Sequence, residues 1–242
     1  MKTYVVINHY ILSSYLEELA IQCITSFKET HNCIIVSVDD NSPIKSDNLK
    51  KLSDIWIQRE TNGGFAVSAN TGLQWILDNE EDDCYIVYSN NDIKVFPNWY
   101  ETFLKYDFDM IGGLGYRNEV AFKKENNYSE GGRYNDWMFP GGFFMTTKKV
   151  LEEIGLYDEN YIHGGIEDID LFYRAKNVGK KLIITPNVSY WHKEGATRYS
   201  DSEKTRQSIA IKENESYFVR KWGFNPLKEL YSKILIENRI NL

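Results

Sequence analysis

The chain of 242 residues carries a formal net charge of −7, and hydrophobic and charged residues make up 42% and 26% of it. This composition is that of an ordinary globular protein, and the acidic balance argues against a general nucleic-acid binder, which needs a basic face. The three cysteines include no CxxC pair, which argues against a disulfide framework or a zinc site and favours reduced thiols in a cytosolic protein.

Strands and helices alternate in the first half of the chain. Apolar runs predict four strands, at residues 4–7, 33–38, 54–58 and 84–88. Helical spacing of apolar residues predicts two helices, at residues 15–28 and 66–77. This alternation predicts parallel βαβ units in one sheet with covered faces. No run of about 18 apolar residues occurs, so no membrane span is expected.

The second half is less regular. Its predicted strands are residues 110–111, 143–146, 181–185 and 188–192, with Pro186 ending the third. Its predicted helices are residues 147–154, 168–177 and 202–222, and residues 115–136 are predicted to be a loop. No Pro/Gly/Ser-rich stretch divides the chain, so we predict one domain over residues 1–200 with a helical extension, residues 201–242, packed on it.

Two of the predicted strands end in acidic, amide-rich loops. Asp40 lies in the first loop, where a carboxylate could accept the N–H of a pyrimidine base or a ribose hydroxyl. A solvated turn is an equally open interpretation. Asp92 ends the second loop, and with Asn90 it could supply oxygen ligands to Mg²⁺ or Mn²⁺. Both loops should meet at the edge where ligands bind in α/β sheets.

A glycine-rich turn, Gly164-Gly165, leads into the helix that begins near Glu167 and Asp168. Acids at a helix start are often only caps that complement the helix dipole, and Asp170 could pair with Arg174 one turn away. Three carboxylates in four residues exceed what capping needs, however. One of them could remove a proton from a hydroxyl as a general base.

His192 follows a predicted strand and precedes a glycine-containing loop. A single histidine is more often structural than a metal ligand. Its place at a strand end favours the ligand interpretation, because imidazole can bind Mn²⁺ in a mixed nitrogen and oxygen site.

In this order, the motifs resemble the family 2 glycosyltransferases of GT-A fold, and they look most like the rhamnosyltransferase-like branch of bacterial polysaccharide synthesis. The resemblance covers about residues 1–200. The matching segments are VSVDDNS at 36–42, NGGFAVSANTGL at 62–73, SNND at 89–92, PGGFFMTTKKVLEEIGLYDENY at 140–161, GGIEDIDLFYRA at 164–175 and WHKEGAT at 191–197. The implied fold is α/β: a Rossmann-like, mostly parallel central sheet flanked by helices, with a C-terminal helical extension.

The resemblance also implies roles for individual residues. Asp168 would be the catalytic base, with Glu167 binding the acceptor beside it. The nucleotide-sugar donor would be bound by Asn8, Asp40, Asn62, Gly63, Asn70, Asn91 and Asp92, with Asp40 reading the base. Mn²⁺ or Mg²⁺ would be bound by Asp92, His192 and Asn90. The acceptor would be bound by Trp137, Gly141 and Gly142, and the predicted loop at residues 115–136 would help choose it.

Asn90 departs from the family pattern, because it replaces the first Asp of the metal-binding DxD motif and removes one charge. The implied reaction is an inverting single displacement from a nucleotide-diphosphate sugar to a hydroxyl of a glycan or lipid-linked glycan, in surface polysaccharide synthesis. The resemblance favours UDP over dTDP or GDP.

Two other functions are weighed against this one. A nucleotidyltransferase would need a Gly-rich, Lys/Arg-bearing loop near the N-terminus, where Asn8-His9-Tyr10 stands instead. A non-catalytic carbohydrate-binding protein of the same fold would not need the acids at Glu167 and Asp168 or the imidazole of His192.

The C-terminal helices leave three uses open: packing on the domain, forming a homodimer, or touching a membrane that carries a lipid-linked acceptor. We expect a cytoplasmic protein, with peripheral contact at the inner face of the membrane as the alternative. Basic residues interleaved with acids predict a solvated helix face, and they are Lys204, Arg206, Lys212, Arg220 and Lys221.

Overall fold

The computed structural model describes residues 1–116, 141–193, 195–197, 200 and 203–225. Within these residues the strands are β1 (Thr3–His9), β2 (Ile34–Asp39), β3 (Ile55–Gln58), β4 (Tyr85–Ser89), β5 (Ile93–Val95), β6 (Met110–Tyr116), β7 (Phe143–Thr147) and β8 (Leu182–His192). The helices are α1 (Ser14–Thr30), α2 (Asp47–Leu52), α3 (Gly64–Asn79), α4 (Trp99–Phe103), α5 (Lys148–Ile154), α6 (Glu167–Asn177) and α7 (Lys204–Trp222).

The strands form one mixed sheet in the order β3-β2-β1-β4-β7-β6-β8-β5. The pairs β3/β2, β2/β1, β1/β4 and β6/β8 are parallel, whereas β4/β7, β7/β6 and β8/β5 are antiparallel. The central strands are apolar on both faces, and Val5, Val6 and Ile7 are fully buried. Helices cover both sides of the sheet, as continuous apolar strands require.

Alternate residues of β1 contribute to two different hydrophobic clusters, one on each face of the sheet. Val5 packs in the cluster that contains Phe27 of α1 and Trp99 of α4. Val6 packs in the cluster that contains Leu73 of α3 and Leu171 of α6. The sheet therefore fixes the starts of α3 and α6 relative to the carboxyl ends of β1, β2 and β4.

The prediction of two strands separated at Pro186 is wrong, because β8 runs through this proline. The pairing of β6 with β8 shifts register between Gly112 and Leu114, so that residues 185–188 of β8, which include Pro186, form a bulge opposite Gly113. A residue without an N–H is tolerated in a strand at such a bulge. Gly113 also has no room for a side chain, since a Cβ there would lie 2.6 Å from the carbonyl oxygen of Val188.

The sequence predictions missed three short elements, α2, β5 and α4, and they ended β6 too early. The three residues of β5 matter most, because they pair antiparallel with the end of β8 and set Ile93 opposite His192. Residues 115–116 of the predicted acceptor loop belong to β6, and residues 117–136 lie outside the described part of the chain.

The solvated face predicted for the C-terminal helix is partly wrong. Lys221 forms ion pairs with Asp158 and Asp170 at 2.7 and 2.8 Å. Phe218 packs with Tyr161 and Ile166, so α7 contacts the segment that precedes α6. In the described residues, no helix combines the length and the apolar character that crossing a bilayer requires.

Candidate active site

A cavity of about 490 Å³ opens beyond the carboxyl ends of the central strands. Its walls come from the ends of β1 and β8, the loops after β2 and β4, the turn before β7, the segment before α6, and the first turns of α7. Most of the residues singled out from sequence reach it: Asn8, Asp40, Asn62, Asn90, Asn91, Asp92, Gly141, Gly142, Glu167, Asp168 and His192. Its position agrees with the general rule for ligand sites in α/β sheets.

Asn90, Asp92 and His192 form a cluster in this cavity, although about a hundred residues separate the first from the last. Nε2 of His192 lies 3.1 Å from Oδ1 of Asp92 and 3.4 Å from Nδ2 of Asn90. Pairing of β5 with β8 explains the approach, since Asp92 directly precedes β5 and His192 ends β8. The backbone N–H of Lys193 also donates to the carbonyl of Asp92, at 3.0 Å.

This cluster supplies only part of a metal coordination shell. Nowhere in the described residues do three His, Cys, Asp or Glu side chains group closely enough to hold a metal ion by themselves. The carboxylate of Asp92, the imidazole of His192 and the amide of Asn90 are nevertheless oxygen and nitrogen donors of the kind that suit Mg²⁺ or Mn²⁺. Such ions often complete their shells with water and substrate phosphates, so the donor set fits an ion shared with a bound ligand.

Glu167 and Asp168 form the first turn of α6 at the floor of the same cavity. Ile166, the residue before them, has a φ of 79°, an unfavourable value for a β-branched side chain. Oδ1 of Asp168 accepts a hydrogen bond from the N–H of Ile169 at 2.8 Å, and Glu167 is buried. The pair predicted between Asp170 and Arg174 is confirmed at 2.9 Å, on the side of the helix away from the cavity lining.

The turn formed by Gly141 and Gly142 connects the two groups. A Cβ at Gly141 would lie 2.8 Å from the Cβ and Cγ atoms of Asp168, and closer still to its Oδ2. A Cβ at Gly142 would lie 3.1 Å from Nδ2 of Asn90 and 3.2 Å from Cε1 of His192. Each glycine therefore adjoins one of the two polar groups; a side chain is excluded at position 141 and would crowd its neighbours at position 142.

Asp40 lines the cavity, but its carboxylate is already engaged by the protein. One oxygen accepts from the N–H of Gly63 at 2.9 Å and from Nε of Arg59 at 2.8 Å, and the other accepts from the N–H of Gly64 at 2.9 Å. Asn62 donates to the Asp40 carbonyl at 3.3 Å. The carboxylate thus satisfies N–H groups at the start of α3 that have no partner within the helix.

Asn8 and Asn70 were both predicted to bind the nucleotide-sugar donor, but of the two only Asn8 lines the cavity. The Oδ1 atom of Asn8 accepts a hydrogen bond from the hydroxyl of Tyr88, whose pKa burial raises well above its usual value. Asn70 does not line the cavity. It bonds to the backbone N–H and carbonyl of Tyr157 at 2.9 and 2.8 Å and to Glu159 at 2.9 Å, which fastens α3 to the segment after α5.

Gly63 also lies outside the cavity lining and contributes its N–H to Asp40 instead. Trp137, predicted to bind the acceptor, lies outside the described residues. The residues that do line the cavity include the cluster of Asn90, Asp92 and His192, the acids of α6 and the glycine turn.

His9 is a cavity residue that the sequence interpretation did not select. It is buried, its Nε2 lies 3.1 Å from the hydroxyl of Ser37, and its ring stacks on Trp56. Its Nδ1 is buried and has no hydrogen-bond partner among the described residues. Burial lowers the pKa of His9 to about 4, against the opposing influence of Asp39. An apolar neighbourhood of this kind keeps the imidazole neutral.

The first turns of α7 were also missed as a cavity wall. Arg206, Gln207 and Ile211 line the cavity, and Nε of Arg206 donates to Nε2 of His163 at 3.1 Å. Burial, and secondarily the Arg206 guanidinium, lower the pKa of His163. Ala210, Asn214 and Phe218 are buried at four-residue spacing and mark one packed face of α7, but the polar Asn214 hides this face from an apolar sequence pattern.

The chain is similar to several known proteins. No protein-family model matches the chain. A curated relative, polypeptide N-acetylgalactosaminyltransferase 3 of Mus musculus, is 31% identical over 80 residues, which are 33% of this chain and 13% of that protein. The chain therefore spans only a small part of this relative's length.

Solved structures match over most of the chain. A structure of GalNAc-T7 with UDP, GalNAc and Mn²⁺ superposes with a TM-score of 0.61 and 16% identity, over 90% of this chain and 50% of that one. The mannosyltransferase PcManGT of Pyrobaculum calidifontis with GDP-Man and Mn²⁺ gives 0.62 and 15%, over 90% and 64%. TarS 1–349 of S. aureus with UDP gives 0.59 and 13%, over 93% and 72%. At these identities the likeness establishes the fold, which is the α/β GT-A fold predicted from the sequence.

Proposed function

We propose that this chain is a glycosyltransferase that moves a sugar from a nucleotide-diphosphate sugar to a hydroxyl group of a glycan or lipid-linked glycan. One observation carries the proposal. A carboxylate at a helix start, Asp168, shares a cavity with the metal-competent cluster of Asp92 and His192, and a turn of two glycines adjoins both. Sugar transfer needs a base for the acceptor and a cation for the leaving diphosphate, and this cavity offers a residue set for each.

The proposed reaction is a single displacement with inversion. Asp168 accepts the proton of the acceptor hydroxyl as that oxygen forms a bond to the anomeric carbon of the donor sugar. The bond from the anomeric carbon to the phosphate oxygen breaks at the same time, and its electron pair leaves with the nucleoside diphosphate. Glu167, buried beside Asp168, is proposed to hydrogen-bond the acceptor.

Asn90, Asp92 and His192 are the residues proposed to hold Mn²⁺ or Mg²⁺. When bound, the ion neutralises negative charge on the diphosphate. Two of the compared structures contain Mn²⁺ together with a nucleotide or nucleotide sugar, which supports a divalent ion here. Among the described residues that line the cavity, Arg206 is the only lysine or arginine, so this part of the lining offers little positive charge to a diphosphate.

The nucleotide is proposed to be UDP rather than dTDP or GDP. Two of the compared structures contain UDP and one contains GDP-Man, so the base is the more open part of the proposal. Asp40 has both carboxylate oxygens engaged by Arg59 and the start of α3. We therefore propose that Asp40 shapes the wall of the base site and that any contact with the base adds to these bonds.

A thermal-shift screen tests the donor, because a ligand that binds only the folded state raises the melting temperature. UDP-, dTDP- and GDP-sugars are compared with and without Mn²⁺, and the best one is then assayed for release of nucleoside diphosphate. Release of UDP that depends on Mn²⁺ supports the proposal. Release of a sugar 1-phosphate would indicate nucleotidyl transfer, and binding of glycans without turnover would indicate a non-catalytic carbohydrate-binding protein.

The stereochemistry and the acceptor need separate measurements. Proton NMR of the freshly formed product reports the anomeric configuration, and retention of the donor configuration would refute the single displacement by the acceptor oxygen. Liposomes with and without a lipid-linked glycan test whether the acceptor brings the protein to a membrane surface. Transfer to a free glycan alone would place the acceptor in solution.

A further inference from the structure

The middle of α7 is bonded to the segment that leads into α6. Asn214 is 1% exposed, and its Oδ1 accepts the N–H of Ile162 at 2.9 Å. Its Nδ2 donates to the carbonyls of Ile162 and Gly165, both at 2.9 Å. One buried side-chain amide thus satisfies three backbone groups on both sides of a single turn.

The segment that Asn214 holds has an unfavourable backbone conformation. His163, Gly164, Gly165 and Ile166 have φ values of 58°, 144°, 104° and 79°. Left-handed conformations of this kind are easy only for glycine, and a β-branched residue such as Ile166 resists them most. A segment like this keeps its shape only when its surroundings dictate it.

The conformation of this segment determines where α6 begins. Ile166 is the N-cap of α6, and Glu167 and Asp168 follow it directly. On its other side, the carbonyl of His163 accepts the N–H of Phe65 from α3 at 3.1 Å. The segment therefore lies between α3 and α7, and α7 contributes the three bonds of Asn214.

We propose that Asn214 is a positioning residue, which fixes residues 162–166 and thereby directs the carboxylate of Asp168 into the cavity. The effect on catalysis rests on the proposed function of Asp168, whereas the effect on the segment does not. This gives the C-terminal helix a task within the site, beyond packing on the domain.

The chemistry of the amide explains why asparagine is suited to this position. Asparagine offers two N–H donors and an acceptor on a short side chain. An aspartate of the same shape would keep the acceptor for Ile162 but would bring a negative charge against the carbonyls of Ile162 and Gly165. Asn214→Asp therefore removes the two donated hydrogen bonds while changing the shape of the side chain very little.

A second contact of α7 supplies the matched control. Lys221 pairs with Asp158 and Asp170, and Trp222 donates to Asp170 at 2.7 Å, so these residues attach the helix without touching residues 162–166. Lys221→Met removes the ion pairs and leaves the bonds of Asn214 in place. Comparing the two variants separates loosening of the helix from loosening of the segment.

Hydrogen exchange of the ligand-free proteins is the first measurement. We expect the amides of residues 162–166 to exchange at least about tenfold faster in Asn214→Asp than in the wild type, and at nearly the wild-type rate in Lys221→Met. Equal protection in all three proteins would overturn the proposal. If Asn214→Asp does not fold, Asn214→Ser, which retains one donor and one acceptor, takes its place with the same criterion.

Steady-state kinetics with the best donor are the second measurement. We expect Asn214→Asp to lower kcat about tenfold or more with little change in the KM of the donor, and Lys221→Met to keep both values. Equal losses in the two variants would reduce Asn214 to a structural residue and overturn the proposal. A wild type that transfers no sugar would refute the proposed function alone, because the exchange measurement still decides whether Asn214 fixes the segment.

Discussion

Gly141 lies against the carboxylate of Asp168, and the contact leaves no room for any side chain at position 141. The sequence resemblance assigned this glycine to the acceptor. Its position gives a more specific reason for its identity, since a Cβ here would compete with Asp168 for the same space. The effect expected for Gly141→Ala follows from this contact.

Replacing Gly141 by alanine should displace the Asp168 carboxylate. We expect kcat of Gly141→Ala to fall about a hundredfold, because a shift of about 1 Å in a catalytic group has effects of this size. Gly142→Ala is the matched neighbour. Its Cβ would approach Asn90 and His192 instead, at 3.1 and 3.2 Å, so its main effect should be a higher requirement for Mn²⁺. Equal metal requirements in the two variants would contradict this division.

Asp168→Asn should abolish transfer while leaving the donor bound. Loss of a general base lowers rates by about 10²- to 10⁴-fold, and the amide is close to the carboxylate in shape. Calorimetric titration with the donor and Mn²⁺ should give a Kd close to that of the wild type. Asp107→Asn makes the same chemical change at an exposed site and should be fully active. Normal turnover by Asp168→Asn would refute its assignment as the base.

Asn90→Asp should strengthen metal binding, because it restores a carboxylate beside Asp92 and His192. Each added charged ligand raises the affinity of an oxygen-rich site. We expect the Mn²⁺ concentration for half-maximal activity to fall about tenfold, equivalent to about 1.4 kcal/mol. Asp92→Asn should shift it in the opposite direction. An unchanged titration curve in Asn90→Asp would argue that position 90 is not a ligand.

The buried imidazole of His9 should make stability depend on pH. Its pKa is lowered to about 4 in the folded protein, whereas in an unfolded chain the imidazole has its ordinary pKa of 6.5. The contribution of the neutral imidazole to the free energy of unfolding is fully present above pH 6.5, and it is lost as the pH drops from there towards 4. At pH 5 the loss should be about 2 kcal/mol relative to neutral pH.

Urea unfolding at pH 7.5 and pH 5 measures this effect. His9→Gln removes the titrating group and keeps a side chain that can bond to Ser37. The variant should lose less stability than the wild type between the two pH values. Both proteins contain His31 and His163, so the contributions of these residues cancel in the comparison. The same pH dependence in both proteins would contradict the assignment to His9.

The sequence predicted the fold well where a strand is buried on both faces. The runs that became β1, β2 and β4 are continuous and apolar, and burial requires them to be so. It failed where tertiary pairing decides the structure. The three residues of β5 form a strand only because the end of β8 lies beside them, and Pro186 stays within β8 only because a bulge in the pairing with β6 accommodates it.

The candidate site shows the same division. The order of the motifs predicted that Asp92, Asp168 and His192 share one site, and all three line one cavity. Sequence alone could not show that the Asp40 carboxylate is occupied by backbone N–H groups, or that Asn214 reaches residues 162–166. Both facts depend on loop conformations with positive φ, and no periodic pattern encodes those.

The bonds of Asp40 have a thermodynamic consequence for the cavity. This single carboxylate ties the end of β2 to Arg59 and to the start of α3, so that wall holds its shape with the cavity empty. A ligand that enters there has little chain to order and forfeits little conformational entropy, which is the meaning of preorganisation. Binding on that side should therefore require little rearrangement of the protein.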